Sequence, residues 1–250
     1  MDIPLAEFDP AAEAFIEPAR IVGRRRVPER MVVCFFREVI ERTCAEAPVA
    51  CRFRSEIGPN PVWLLGEGED QVGVMHPGVG APLAVGFLEA AIAAGARRIA
   101  VIGGAGALVP ELTLGHVIVP TAAVRDEGTS FHYMPPGREV EADPQMVALT
   151  TAFLDRREVP YSLAKTWTTD ALYRETAARI ERRRAEGCAT VEMETSAFFA
   201  VARFRGVRLT QLLYAGDSLA GDQWDHRGWM SAADTRDALF WLTVDLAREL

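Results

Sequence analysis

Short apolar runs alternate along the chain with stretches whose apolar positions recur every three or four residues. Met31-Val32-Val33-Cys34-Phe35-Phe36, Val72–His76, Ile99-Ala100-Val101-Ile102, Val117-Ile118-Val119, Ser162–Thr166 and Leu209–Ala215 read as strands. The first is followed by a helical stretch through Arg42. Leu83, Phe87, Ala91 and Ala94 share one face of a helix that stops at Gly95, and further helices are predicted over Gln145–Arg157 and Thr195–Phe204. Ser231 opens a last helix carrying Leu239, Leu242, Leu246 and Leu250. This order predicts one α/β domain, a mainly parallel central sheet covered by helices on both faces. Residues 1–28, with four prolines and Arg24-Arg25-Arg26, read as an irregular arm, and 29–250 as the domain.

A parallel sheet of this kind binds ligands beyond the carboxyl ends of its strands. Those ends carry His76 with Gly78 and Gly80, Gly103 to Gly106, Thr168 to Asp170, and Asp217. The glycine clusters lack G-x-G-x-x-G spacing, since Leu83 and Val109 stand where the last glycine would be, so a dinucleotide fingerprint is not supported. They serve equally as tight strand-to-helix turns. Gly216-Asp217-Ser218-Leu219 spells a serine-esterase signature, but Gln223 stands where an aspartate should precede His226 by three positions. The esterase is the weakest reading.

Composition narrows the classes. With 250 residues, 49% hydrophobic and 25% charged, the chain can bury a large core. A net charge of −8 argues against a protein that holds nucleic-acid phosphates. The acidic N-terminus lacks a secretory pattern, no apolar stretch approaches a membrane span, and Cys34, Cys44, Cys51 and Cys188 form no C-x-x-C pair. A cytoplasmic protein with reduced thiols is expected. The four histidines are scattered, so no metal site is expected, and Arg179–Glu186 reads as a solvated helix face.

Val191-Glu192-Met193-Glu194-Thr195-Ser196-Ala197 places two carboxylates around a methionine where an apolar helix begins. Acids favour a helix N-terminus through the macrodipole, but a carboxylate can also accept two hydrogen bonds from a sugar diol, above a soft methionine floor. With the segments Met75–Pro82, Ile102–Val119, Thr168–Tyr173, Val191–Ala202 and Leu212–Leu219 in this order, the chain over roughly 30–250 resembles the nucleoside phosphorylase and nucleosidase superfamily.

The resemblance implies cleavage of the N-glycosidic bond of a purine-type nucleoside or nucleotide, with no metal or organic cofactor, by a homo-oligomer (dimer or hexamer). Glu194 would grip the ribose 2′- and 3′-hydroxyls, with Met193 beneath the sugar and Glu192 bordering it. Asp217 would protonate the base at N7, oriented by Arg227, and Leu172 and Tyr173 would stack on base or ribose. Val79, Gly104, Ala105, Gly106 and Thr169 would line the substrate. Uracil-specific members carry a Gln-x-Arg after this tyrosine; Arg174-Glu175-Thr176 lacks it.

The chain departs from the family at the phosphate ligands. Cys34-Phe35-Phe36-Arg37-Glu38 replaces a Gly-Asp-Pro turn with its arginine, Val101 replaces an arginine, and Gly104 a hydroxyl residue. Each lost charge-assisted hydrogen bond would cost a bound phosphate ~1.5–3 kcal/mol. Hydrolysis is therefore favoured, with Glu38 positioning the water. Phosphorolysis with phosphate as co-substrate, held by Arg37, Arg54 or Arg24–Arg26, is the alternative, and a nucleoside-binding module without catalysis is a third.

Overall fold

A computed structural model of the chain describes residues 3–229 and 232–250. Its strands are β1 (Arg30–Cys34), β2 (Val49–Ser55), β3 (Gly58–Leu65), β4 (Val72–Met75), β5 (Arg98–Ala107), β6 (Val117–Asp126), β7 (Glu139–Glu141), β8 (Tyr161–Thr169), β9 (Cys188–Glu192) and β10 (Arg208–Ser218). The helices are α1 (Pro18–Val22), α2 (Arg37–Thr43), α3 (Ala81–Ala94), α4 (Pro144–Arg156), α5 (Ala177–Ala185), α6 (Thr195–Arg205) and α7 (Ala233–Glu249).

The expected α/β class is present, but the sheet is mixed rather than mainly parallel. Among the described residues five strand pairings are parallel and five antiparallel. β5, β10, β6, β8 and β9 close into a ring, because β5 pairs with both β10 and β9. β1, β4, β3 and β2 extend the sheet from β5. Apolar runs identify strands but not their direction, and the antiparallel contacts come largely from strands the periodicity missed. The β2–β3 hairpin carries Arg52, Arg54, Pro59 and Pro61 and is mostly only partly buried, so it shows no buried-strand pattern.

Alternate residues of β1 and β5 feed two apolar clusters. Met31, Val33, Ile99 and Val101 pack with Leu88 and Ala91 of α3 and Phe198 and Val201 of α6. Val32, Cys34, Ala100 and Ile102 pack with Ile40 of α2, Phe153 of α4 and Phe240 and Val244 of α7. Successive side chains of a strand point to opposite faces, so burial on both sides produces the unbroken apolar runs seen in the sequence.

Helix ends follow local chemistry. Asp143 caps α4, accepting from Gln145 N at 2.8 Å, with Pro144 in the first turn. α3 ends at Gly95, φ 129°, a conformation open to glycine. The described part of the last helix starts at Ala233; Ser231 lies outside the described residues. Within residues 1–28, α1 buries Val22 against the domain, and Arg25 Nε donates to Arg52 O at 3.0 Å. No described helix is long and apolar enough to cross a membrane.

Candidate active site

The β9–α6 junction builds the first part of the site. Its apolar helix needs its opening N–H groups satisfied, and Glu192 does this from inside the fold. One carboxylate oxygen accepts from Glu194 N at 2.7 Å and Thr195 N at 2.6 Å; the other accepts from Thr168 Oγ1 at 2.6 Å. Glu192 is therefore engaged by the backbone and β8. Met193 is partly buried.

Glu194 is 6% exposed, and its Oε1 accepts the Gly80 N–H. Gly80 holds φ at 91°, so glycine lets the turn after β4 present this donor. Burial, reinforced by the charge of Glu192, pushes the Glu194 carboxyl up to about 8. Beside this turn lies an open cavity of about 490 Å³, lined among others by Pro82, Val85, Tyr133 and Asp170. Asp170 Oδ2 accepts from Gly128 N at 2.9 Å.

Asp217 comes from β10. The β5–β10 register slips between Ala215, paired to Ala105, and Ser218, paired to Ala107. Gly216 and Asp217 thus oppose Gly106 alone, a β-bulge of the kind that re-aims a side chain. A Cβ on Gly106 would stand 3.5 Å from Asp217 Oδ1 and 2.6 Å from Leu219 Cδ1, so this glycine allows the close approach. Gly106 also pairs with Val191, two residues before Met193. Gly106 therefore lies beside Asp217 and is paired to Val191, three residues before Glu194. A single parallel rim does not bring them together: β9 runs antiparallel to β5.

Trp224 Nε1 donates to Asp217 Oδ2 at 2.6 Å. Arg227 takes another course, with one guanidinium nitrogen donating to Leu112 O at 2.7 Å and Nε 3.7 Å from Asp225 Oδ2. Trp224, not Arg227, is the group holding Asp217 in this structure. Glu175 is half-buried close to Asp217; burial and that like charge push its carboxyl up to about 7.

In the second half of β5, a Cβ on Gly103 would meet the Phe35 ring at 3.0 Å, and one on Gly104 the Tyr214 ring at 3.1 Å. Aromatic carbon occupies the space a hydroxyl side chain at Gly104 would need. Val101 is fully buried in the core. Arg37 is exposed and ion-paired to Glu41 at 2.7 Å, and Arg54 lies exposed near the tip of the β2–β3 hairpin. Glu38 faces Arg236, with Oε1 2.9 Å from Nε and Oε2 accepting from a terminal guanidinium nitrogen at 3.2 Å.

Other expected ligands sit variously. Ala105 is buried; Thr169 is buried with Oγ1 accepting from Ala171 N at 3.2 Å. Leu172 is half exposed, and Val79 and Tyr173 stand in solvent, Tyr173 at 92% exposure. Ser218 is buried with its Oγ accepting from Ala220 N, while His226 Nδ1 accepts from Gly228 N. No serine–histidine pair forms there, which removes the esterase geometry. No cluster of three or more His, Cys, Asp or Glu among the described residues is arranged to hold a metal.

Sequence reading missed Glu175, Trp224, Arg236 and Glu127, whose buried carboxylate joins Ser196 Oγ and Ser130 N, both at 2.9 Å. Arg236 did carry a signal. It occupies the apolar face of α7 together with Leu239, Phe240 and Thr243.

Known proteins share this architecture. The solved purine nucleoside phosphorylase of Toxoplasma gondii, in complex with immucillin-H, superposes with a TM-score of 0.74 at 19% identity, covering 90% of this chain and 92% of that one. A uridine phosphorylase of Vibrio fischeri gives 0.73 at 23% identity over the same shares. Among curated sequences, a guanosine phosphorylase of Halorubrum lacusprofundi is 28% identical over 153 residues, 60% of this chain and 63% of that protein. A uridine phosphorylase of Treponema pallidum is 28% identical over 156 residues, 58% and 60%. The matches span about three fifths of the length of these curated relatives. The family model of the phosphorylase superfamily matches residues 30–239, nearly the whole of the region that builds the sheet and the site, and the chain belongs to that superfamily.

Proposed function

We propose that the protein cleaves the N-glycosidic bond of a purine-type nucleoside or nucleotide, with water as the acceptor. The observation that carries this reading is that Gly106 lies beside Asp217 at the bulge in β10 and pairs with Val191, three residues before Glu194. In this reading the sheet is covered by helices on both faces, α3 and α6 backing the sugar side and α2, α4 and α7 the acceptor side.

The chemistry follows from the residue types. As C1′–N9 breaks, its electron pair goes to the base and positive charge builds on the sugar. Asp217, anchored by Trp224, gives its proton to N7 so that the base leaves neutral. Glu194, protonated in the ligand-free pocket, gives up that proton as the substrate's hydroxyls and the developing positive charge favour its charged form, and as carboxylate accepts from the 2′- and 3′-hydroxyls and stabilises the cationic ring, with Met193 beneath. Water adds to C1′ and gives its extra proton to the solvent, Glu38 orienting it from the Arg236 clamp. Phe35 and Tyr214 over Gly103 and Gly104 favour water over a phosphate dianion, which would lose its charged partners against aromatic rings.

A second reading, phosphorolysis, is favoured by the curated relatives, which are named as phosphorylases; Arg37, Arg54 or Arg24–Arg26 would then supply the phosphate ligands, with phosphate as the co-substrate and no other cofactor. Either reaction would be that of a cytoplasmic homo-oligomer acting on a small molecule.

Turnover of inosine, guanosine, adenosine and uridine by wild type and two variants tests the reading. Asp217→Asn should cut purine release by ~10²-fold or more, the scale of a lost general acid. Glu194→Gln should impair ribosides far more than 2′,3′-dideoxy analogues. Unchanged turnover in Asp217→Asn, or equal losses on both sugars in Glu194→Gln, would contradict the assigned roles; binding without release by wild type would leave a nucleoside-binding module.

A further inference from the structure

The charge-rich stretch Arg179–Glu186, most of it in α5, is more than a solvated face. Arg179 and Arg183 each give a terminal guanidinium nitrogen to Asp126 Oδ2, at 2.8 and 3.1 Å, and the Trp167 indole donates to the same oxygen at 2.8 Å. Their guanidinium carbons lie 5.6 and 5.3 Å from the centroid of the buried Trp167 ring. Two anchors one helical turn apart fix the rotation of α5 against the ends of β6 and β8.

Arg184, the next residue, turns its donors elsewhere. Its Nε donates to Leu108 O and one terminal nitrogen to Leu219 O, both at 2.5 Å. Leu108 is fully buried and directly follows β5; Leu219 directly follows β10. Leu219 N donates to Ala107 O at 2.8 Å, and Leu108 N to Ala189 O at 2.8 Å. A single guanidinium thus takes the first carbonyl beyond each of the two paired strands. The rigid fork of arginine suits two carbonyls held side by side, and hydrogen bonds from a charged donor are the stronger kind.

This clasp lies next to Asp217. The bulge of Gly216 and Asp217 is fixed on one side by the pairing of Ala215 with Ala105, and on the other by that of Ser218 with Ala107 and by Arg184 on Leu219. A bulge leaves its extra residue unpaired and re-aims a side chain, so the direction of the Asp217 carboxyl depends on how firmly both sides are held. Leu219 Cδ1 and Asp217 Oδ1 both approach Gly106, 2.6 and 3.5 Å from where its Cβ would stand.

We propose that Arg184 is a positioning residue for the base-protonating acid: by clasping the carbonyls of Leu108 and Leu219 it holds the β10 bulge in the shape that aims Asp217 at the base. This rests on the reading of Asp217 as the general acid, and it holds whether water or phosphate accepts the sugar.

A double-mutant cycle on the full chain tests it, with kcat and KM for base release from inosine and guanosine measured for wild type, Arg184→Met, Asp217→Asn and the double variant. Displacing a catalytic group by about 1 Å can cost about 10²-fold, so Arg184→Met should lower kcat by about 10- to 10²-fold with KM little changed. Because Arg184 acts through Asp217, the double variant should be no slower than Asp217→Asn alone. Arg184→Lys keeps the charge without the fork and should fall between wild type and Arg184→Met; should Arg184→Met not fold, it takes that place in the cycle. Losses that multiply in the double variant, or an unchanged kcat in the Arg184 variant that folds, would overturn the proposal and leave Asp217 in its role. No base release by wild type with or without phosphate, or an unchanged rate in Asp217→Asn, would overturn the reading beneath it and the proposal together.

Discussion

Glu194 illustrates what a single residue reveals before and after folding. The motif Glu192-Met193-Glu194 identifies two acids at a helix start, and helix-dipole chemistry alone explains both. Their division of labour depends on three-dimensional partners: Glu192 turns to Thr168 and the backbone, while Glu194 reaches Gly80, 114 positions earlier. Arg236 and Glu38 stand 198 positions apart, and no local pattern joins them. The raised Glu194 carboxyl has a consequence for stability. The folded state keeps its proton up to about 8, whereas the unfolded chain releases it in the ordinary carboxylate range. Between those values the folded state binds more protons, so its stability falls as pH rises. Glu175, raised to about 7, acts in the same direction. The ligand-free protein should melt at lower temperature at pH 8 than at pH 6, and Glu194→Gln should reduce that difference. An identical pH dependence in the variant would show that Glu194 is not buried in this way.

At the scale of elements, strands buried on both faces were the legible ones. β1 and the first half of β5 read as unbroken apolar runs because alternate residues enter different clusters. β9 was not legible as a strand, since its five residues include Thr190 and Glu192 and merge with the motif that follows. Nor was the bulge in β10, because Gly216-Asp217 looks the same whether it ends a strand or kinks one. The α6 N-terminus depends on Glu192, which satisfies two backbone donors and the Thr168 hydroxyl inside the protein. Each buried donor left unsatisfied costs ~1–3 kcal/mol. Glu192→Ala should therefore lower unfolding stability by about 3 kcal/mol or more in urea titrations. A loss below about 1 kcal/mol would mean that the cap contributes little and that Glu192 is free for another role.

For the whole molecule, alternating apolar strands and amphipathic helices correctly announce an α/β domain, and membership of the phosphorylase superfamily agrees. They do not announce the ring of β5, β10, β6, β8 and β9, whose oppositely directed strands place Val191 and Asp217 beside Gly106. The departures at Val101 and Gly104 are visible in the sequence, but the Phe35 and Tyr214 rings set against Gly103 and Gly104 come from the segment after β1 and from β10 and become visible only on folding. The central claim is that this pocket separates base from sugar with water. Nuclear magnetic resonance of the sugar released from a cleaved purine nucleoside, in buffer containing inorganic phosphate, tests it most directly. The account predicts free ribose at a rate independent of phosphate; ribose 1-phosphate, with release that stops when phosphate is withheld, would contradict it.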